Sequence, residues 1–297
     1  MKLDNNIFFT TLDLMPDVPL NIYALQGTEY SILIDTGIKS MRDQVLGLCK
    51  ETGNIQKVLI THVHADHIGC NVAVKQETNA QFFVGGAKHW VEDMEAHYQE
   101  FCIPSEHLPD SKEQRDEILG LMDGPIKVDA LITDGTTFFP GNEIELETIH
   151  LPGHKLEEVG FLNHSTGDFF TGDILLALAA PFFHGFQTAR GFRNSLNKIK
   201  QMIKNGKIKR ILAAHHHPLN TERAFEIIKL TENFLDDVQN AVIKQAEGVS
   251  SPTLWKNVCG SMNKQLEFRG YAMLEVQVNE LVEDNILYKD REKIYRK

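Results

Sequence analysis

The segment Thr61-His62-Val63-His64-Ala65-Asp66-His67 sets three histidines and one carboxylate within six residues, directly after the apolar run Val58-Leu59-Ile60. Imidazole and carboxylate suit zinc, iron or manganese, and a strand ending in a tight turn can aim several of them at one point. Any single histidine here could sit in a surface loop or be satisfied in a core; four ligand-type residues at this spacing point to metal binding. Three further candidates close strand-like stretches. His154 ends Leu151-Pro152-Gly153-His154 after 143–149, where Ile144 and Leu146 alternate with Glu143, Glu145 and Glu147. Asp173 ends Phe170-Thr171-Gly172-Asp173, and His215 ends Ile211-Leu212-Ala213-Ala214-His215. Side chains at the ends of several strands can converge on one rim, so the chemistry to expect is metal-assisted hydrolysis.

Taken in order, His-x-His-x-Asp-His, Pro-Gly-His, Thr-Gly-Asp and a late histidine, preceded by Leu33-Ile34-Asp35-Thr36-Gly37, resemble the motifs of the metallo-beta-lactamase fold superfamily. The resemblance covers about residues 8–219. It implies an α/β protein built as a four-layer αββα sandwich with two metal sites. His62, His64 and His154 would hold the first ion, Asp66, His67 and His215 the second, and Asp173 would bridge them. The last motif, Ala214-His215-His216-His217, departs from the usual Gly-His-Gly. Register selects His215, with His216 as the alternative. Beta-lactamases of this superfamily usually carry cysteine or serine at the bridging position. Asp173 therefore argues against antibiotic hydrolysis and toward the glyoxalase, lactonase, thioesterase and phosphodiesterase branches.

The resemblance implies a hydrolase in which a metal-bridging hydroxide attacks the carbonyl carbon of a small-molecule ester, thioester or lactone, with Asp66 and Asp173 as catalytic carboxylates. Zinc is the expected pair of ions, with iron or manganese as alternatives. The same core can serve a phosphodiesterase or ribonuclease, and a third reading is a non-hydrolytic iron protein or a ligand-sensing module. Asp35 has two roles that one residue can combine, as a turn former and as the acceptor that fixes a ligating imidazole. His184, His216 and His217 are candidate substrate contacts or structural histidines.

These residues need strands to position them. Strand-like runs at 22–25, 30–34 and 58–60 alternate with helix-like runs at 41–51 and 66–76. A second half runs from 136 to 219, with strands near 136–139, 143–149, 159–162, 168–170 and 208–213. Together they make a catalytic domain over 1–220. A helical insertion at about 85–129 carries helices at 87–101 and 111–122, with Trp90, Met94, Tyr98 and Phe101 on one stripe, packed on the sandwich or forming a lid. His89, His97 and His107 lie there without a metal assignment. A second addition, 221–297, reads as a long helix over 221–248, shorter helices at 253–259, 265–268 and 273–282, and a hairpin at 286–295. This order resembles the winged-helix-like tail of some lactamase-like hydrolases. Its acidic Glu275, Glu280, Glu283 and Asp284 suit packing or dimerisation better than DNA readout.

Composition sets limits. With 297 residues and 42% apolar content the chain can fill a large core. A net charge of −11 opposes general attraction to nucleic acid. The lysine-rich stretch 198–210, interleaved with Ile199, Met202 and Ile203, reads as the solvated face of a packed helix. There is neither a signal peptide nor a membrane-length apolar run, so a cytoplasmic protein is expected. Cys49, Cys70, Cys102 and Cys259 are scattered and read as buried thiols.

Overall fold

A computed structural model describes residues 1–4, 6–102 and 112–297. His107 and the expected helix start at Ser111 lie outside the described residues, as does the side chain of Phe101. The first sheet runs in chain order through β1 (Ile7–Met15), β2 (Val18–Leu25), β3 (Ser31–Ile34), β4 (Ile55–Ile60), β5 (Gln81–Val84) and β6 (Ala130–Leu131). The second is built from β7 (Thr137–Gly141), β8 (Ile144–His150), β9 (Val159–Asn163), β10 (Asp168–Thr171), β11 (Arg210–Ala213) and β12 (Leu219–Asn220). Pairs β3–β4 and β10–β11 are parallel, so the ends of adjacent strands deliver their loops to the same rim.

Alternation along the strands divides the core into layers. Ile32, Ile34, Leu59, Phe161, Phe170 and Leu212 meet between the sheets. Their chain neighbours Leu33, Val58 and Ile60 face outward beneath α1 (Arg42–Thr52), α2 (Ala65–Ile68) and α3 (Asn71–Thr78). On the other side Leu162, Phe169, Ile211 and Ala213 pack under α7 (Ala189–Lys204). Both faces of each sheet are therefore covered, which explains why β2 is buried at every position. This is the expected αββα sandwich. The amphipathic α7 buries Phe192, Leu196, Ile199, Met202 and Ile203, while Lys198 and Lys200 pair with Asp134 and Glu232.

Several expectations need correction. The helix read over 66–76 is two helices, because the Gly69 peptide turns aside to bond elsewhere: its N–H donates to Gly37 O at 2.6 Å and its carbonyl accepts from Asp123 N at 2.8 Å. A Cβ there would meet Leu121 O at 2.4 Å, so only glycine fits. The stripe over 87–101 is broken at Asp93, which is extended and whose carboxylate accepts from Glu95 and Ala96 N–H, separating α4 (His89–Glu92) from α5 (Met94–Cys102). Val91 and Tyr98 are buried, and Trp90, Met94 and, beside α6 (Lys112–Gly120), Leu121 pack on the outer core. Finally, β1, β5, β6 and β12 were unforeseen.

Residues 221–297 form α8 (Thr221–Gln245), β13 (Glu247–Ser250), α9 (Ser251–Met262), α10 (Phe268–Glu283) and the hairpin β14 (Leu287–Asp290) and β15 (Lys293–Arg296). One continuous helix replaces the two read at 265–268 and 273–282, and β13 adds a third strand to the hairpin. Phe234, Trp255 and Leu274 of this region share one hydrophobic cluster with the second sheet. No helix among the described residues is long and apolar enough to cross a membrane. Cys49, Cys70 and Cys259 are free and buried.

Gly270 in α10 sits against Trp255, where an added Cβ would lie 2.1 Å from the indole ring, itself packed at a tilt against Phe183 with ring centroids 5.3 Å apart. Alanine is favoured over glycine in a helix by about 1 kcal/mol, whereas overpacking a wedged ring costs about 1–3 kcal/mol. Gly270→Ala is expected to lower the urea midpoint with an unchanged slope, a net loss of about 1 kcal/mol or more. A raised midpoint would show that the indole moves aside freely.

Candidate metal centre

The loops leaving β3, β4, β8, β10 and β11 meet at one rim, and each brings a ligand-type side chain. His62, His64, His154 and Asp173 offer atoms that all lie within 4.8 Å of one another, and so do Asp66, His67 and His215. Asp173 stands between the groups. Its Oδ2 lies 3.4 Å from His154 Nε2 and 4.0 Å from His62 Nε2, while its Oδ1 lies 3.3 Å from both His67 Nε2 and His215 Nε2. Asp66 Oδ2 completes the second group at 3.3 Å from His215 Nε2 and 3.7 Å from His67 Nε2.

The donor set fits metal ions by its tautomers. His154 Nδ1 lies 2.6 Å from Gly185 O, His215 Nδ1 lies 2.9 Å from Pro19 O, and His67 Nδ1 lies 2.9 Å from Asp35 Oδ2. An imidazole that donates from its outer nitrogen turns a lone pair inward, the state a cation requires. His62 Nε2 and His154 Nε2 each come within 3.0 Å of His64 Nδ1, so three ring nitrogens converge on one spot. Asp35 combines both roles read for it. It occupies the left-handed region at φ 60°, which aspartate tolerates in a turn, and its carboxylate also accepts from Thr61 N and Oγ1 at 2.8 Å each.

Charge follows the same division. Burial, then the charge of His67, push His62 well below the ordinary imidazole range; burial and neighbouring His62 do the same to His64. At His67 burial is outweighed by Asp35, Asp66 and Asp173, which hold the ring well above that range. At His215 burial is outweighed by Asp173 and Asp66, and the pKa is pushed up to about 9. Burial would raise the carboxyls of Asp66 and Asp173, yet His67 and His215 hold both well below the usual range. The protein by itself thus neutralises its buried carboxylates with protons on His67 and His215. Behind Asp173, Glu158 accepts from Ile174 N at 2.8 Å, and burial followed by the Asp173 charge pushes its carboxyl well above the usual range.

All seven side chains read from the sequence are brought together. His215 rather than His216 joins them: His216 Nε2 lies 3.1 Å from Leu175 O, and His217 is exposed. His89 is exposed and His97 is buried beside Trp90; neither joins a ligand group. The centre floors a cleft of about 500 Å³. Its walls are Leu14, Met15 and Val18 from the β1–β2 hairpin, Ile118 and Leu121 from the insertion, Phe182–Gln187, and Ala272, Glu275, Val276 and Asn279 from α10. The insertion thus both packs on the core and lines the cleft. Sequence reading passed over Lys155, which is 1% exposed with its ammonium 4.2 Å from the Trp90 ring centroid. Nothing but its place beside His154 signals it.

The family model of the metallo-beta-lactamase superfamily matches residues 15–216. Among curated proteins, the hydroxyacylglutathione hydrolase GloC of Haemophilus influenzae is 32% identical over 127 residues, covering 41% of this chain. The match spans half the length of that relative. Among solved structures, a metallo-beta-lactamase family protein of Thermus thermophilus shares the fold with a TM-score of 0.74 at 16% identity, covering 100% of both chains. A beta-lactamase domain protein of Burkholderia ambifaria gives 0.73 at 14%, covering 100% of this chain and 93% of its own.

Because folding raises the His215 pKa from 6.5 to about 9, its ion pairs stabilise the metal-stripped protein fully below pH 6.5 and are lost as pH rises through 9. A cation must displace the protons on His67 and His215. Zinc titrated calorimetrically into stripped protein at pH 7.5, in buffers of different ionisation enthalpy, is expected to release about two protons per chain. Release of none would mean that these imidazoles do not face the metal.

Proposed function

The chain belongs to the metallo-beta-lactamase superfamily, and on that premise we propose that it hydrolyses an ester, thioester or lactone bond of a small molecule with two divalent ions, zinc in the first instance. The observation that carries the two-ion reading is the division of Asp173, with one oxygen toward each histidine group at 3.4 and 3.3 Å. His62, His64 and His154 would hold one ion, Asp66, His67 and His215 the other, and Asp173 both. Such a pair supplies a nucleophile from water near neutral pH and polarises a carbonyl.

The remaining chemistry falls to the protein. Asp66, with 26% of its side chain exposed on the cleft floor, would take the proton given up by the attacking water and pass it to the departing oxygen or sulfur. His184 lines the cleft with its Nε2 buried and unpartnered among the described residues, and burial pushes its pKa down to about 4. At neutral pH it is an uncharged ring, suited to a hydrogen bond with a polar group of the substrate. Leu14, Met15, Val18, Ile118 and Leu121 give the acyl part an apolar bed. The similarity to a hydroxyacylglutathione hydrolase supports acyl chemistry. Against a phosphodiester, Lys155 is the one lysine or arginine lining the cleft among the described residues, and its ammonium is committed to Trp90.

Zinc-loaded protein is expected to turn over a panel of thioesters and lactones and to leave bis(p-nitrophenyl) phosphate nearly untouched; the opposite order would overturn the acyl reading. Asp173→Ala should lower kcat/KM at least about 100-fold and leave fewer than two ions per chain by elemental analysis. Two retained ions with normal turnover would refute its bridging role. His184→Ala should keep the metal content and lower kcat/KM about tenfold, as loss of one substrate hydrogen bond requires. An unchanged value would make His184 structural.

A further inference from the structure

Helix α10 presents Ala272, Glu275, Val276 and Asn279 to the cleft, the spacing of one helical face. The acidic residues at its C-terminal end have structural work. Glu280 accepts from Thr188 Oγ1 at 2.7 Å and from Arg190 N, and Glu283 and Asp284 take the Arg190 guanidinium. These contacts dock the helix on α7. Glu275 does none of this: half-buried on the cleft wall, it makes no hydrogen bond or ion pair among the described residues.

The cations near it are spoken for. Lys155 lies under Trp90, and Lys289 donates to Asn279 Oδ1 at 2.7 Å, one turn beyond Glu275. Among the described residues no cation is paired with this cleft carboxylate, an arrangement that disfavours a second anion and favours an incoming cation. Phe182, half-buried and lining the same cleft, adds a ring of the kind that attracts cations.

We propose that Glu275 is a specificity-determining residue that reads a positively charged, amine-type group on the substrate from the α10 wall of the cleft. The proposal rests on the hydrolase reading and narrows its substrate class. It selects acyl compounds bearing an ammonium and rejects those whose acyl or leaving group carries carboxylates. A second carboxylate facing Glu275 in a cleft of low polarity is repelled, whereas an ammonium there replaces water with a charge-assisted contact.

The test uses zinc-loaded protein and two readouts. Hexyltrimethylammonium and hexanesulfonate are titrated calorimetrically into the parent, Glu275→Gln and Glu275→Lys. The parent is expected to bind the cation about tenfold more tightly relative to the anion than Glu275→Gln does, a factor corresponding to about 1.4 kcal/mol, and Glu275→Lys to shift the ratio further toward the anion. Equal ratios in all three proteins would overturn the proposal. Hydrolysis is then compared for thioesters of one acyl group with thiocholine, N-acetylcysteamine and 3-mercaptopropanoate. Preference for the thiocholine ester that disappears in Glu275→Gln supports the assignment. Turnover of all three with the same preference in parent and variant sinks it while leaving the hydrolase reading intact. Glu275-dependent cation binding without turnover of any ester, thioester or lactone would overturn the hydrolase reading and leave the cation site standing.

Discussion

The structure depends on holding imidazoles from behind. Ring nitrogens from separate loops do not converge to 3.0 Å unless each ring is held in a fixed direction. Three rings of the cluster are held by acceptors drawn from separate parts of the fold: Asp35 after β3 for His67, Gly185 for His154, and Pro19 in β2 for His215. Each fixes a tautomer as well as a direction. The sandwich brings these acceptors close because β3 and β4, like β10 and β11, run parallel and end at one rim.

Much of this was legible in the chain. His62, His64, Asp66 and His67 lie within one turn, so spacing alone identifies them. His154, Asp173 and His215 are far apart in sequence but each follows a strand, and strand ends are what the fold brings together. Asp35 was readable because its residue type serves a turn and an imidazole equally well. The other two acceptors were not, since a backbone carbonyl has no signature of residue type. Nor were the breaks at Gly69 and Asp93, where a tertiary hydrogen bond and a side-chain cap override an apolar periodicity that continues on both sides. The acidic character of α10 was plain from its residues, yet the separate fates of Glu275 and Glu280 emerge only once α7 and the cleft are placed beside it.

Residues 221–297 are bound to the second sheet through a common hydrophobic cluster, not through a thin interface. Trp255 is central to that bond, buried against Phe183 of the loop that also carries His184 and Gly185. The helix facing the cleft and the loop steadying His154 therefore rest on the same ring. Apolar packing in this region thereby reaches the loop behind His154.

The β1–β2 hairpin carries two duties within a few residues. Leu14, Met15 and Val18 touch the cleft, while Pro19 O orients His215 and the Asn21 amide binds the carbonyls of Ala213 and His216. Sequence variation there is pleiotropic, since a change that recontours the apolar wall also disturbs the strap behind an imidazole. The α10 face is under no such double constraint: among the described residues it donates no hydrogen bond to the seven clustered side chains. Divergence toward new substrates consequently has an open route through one wall and an obstructed one through the other.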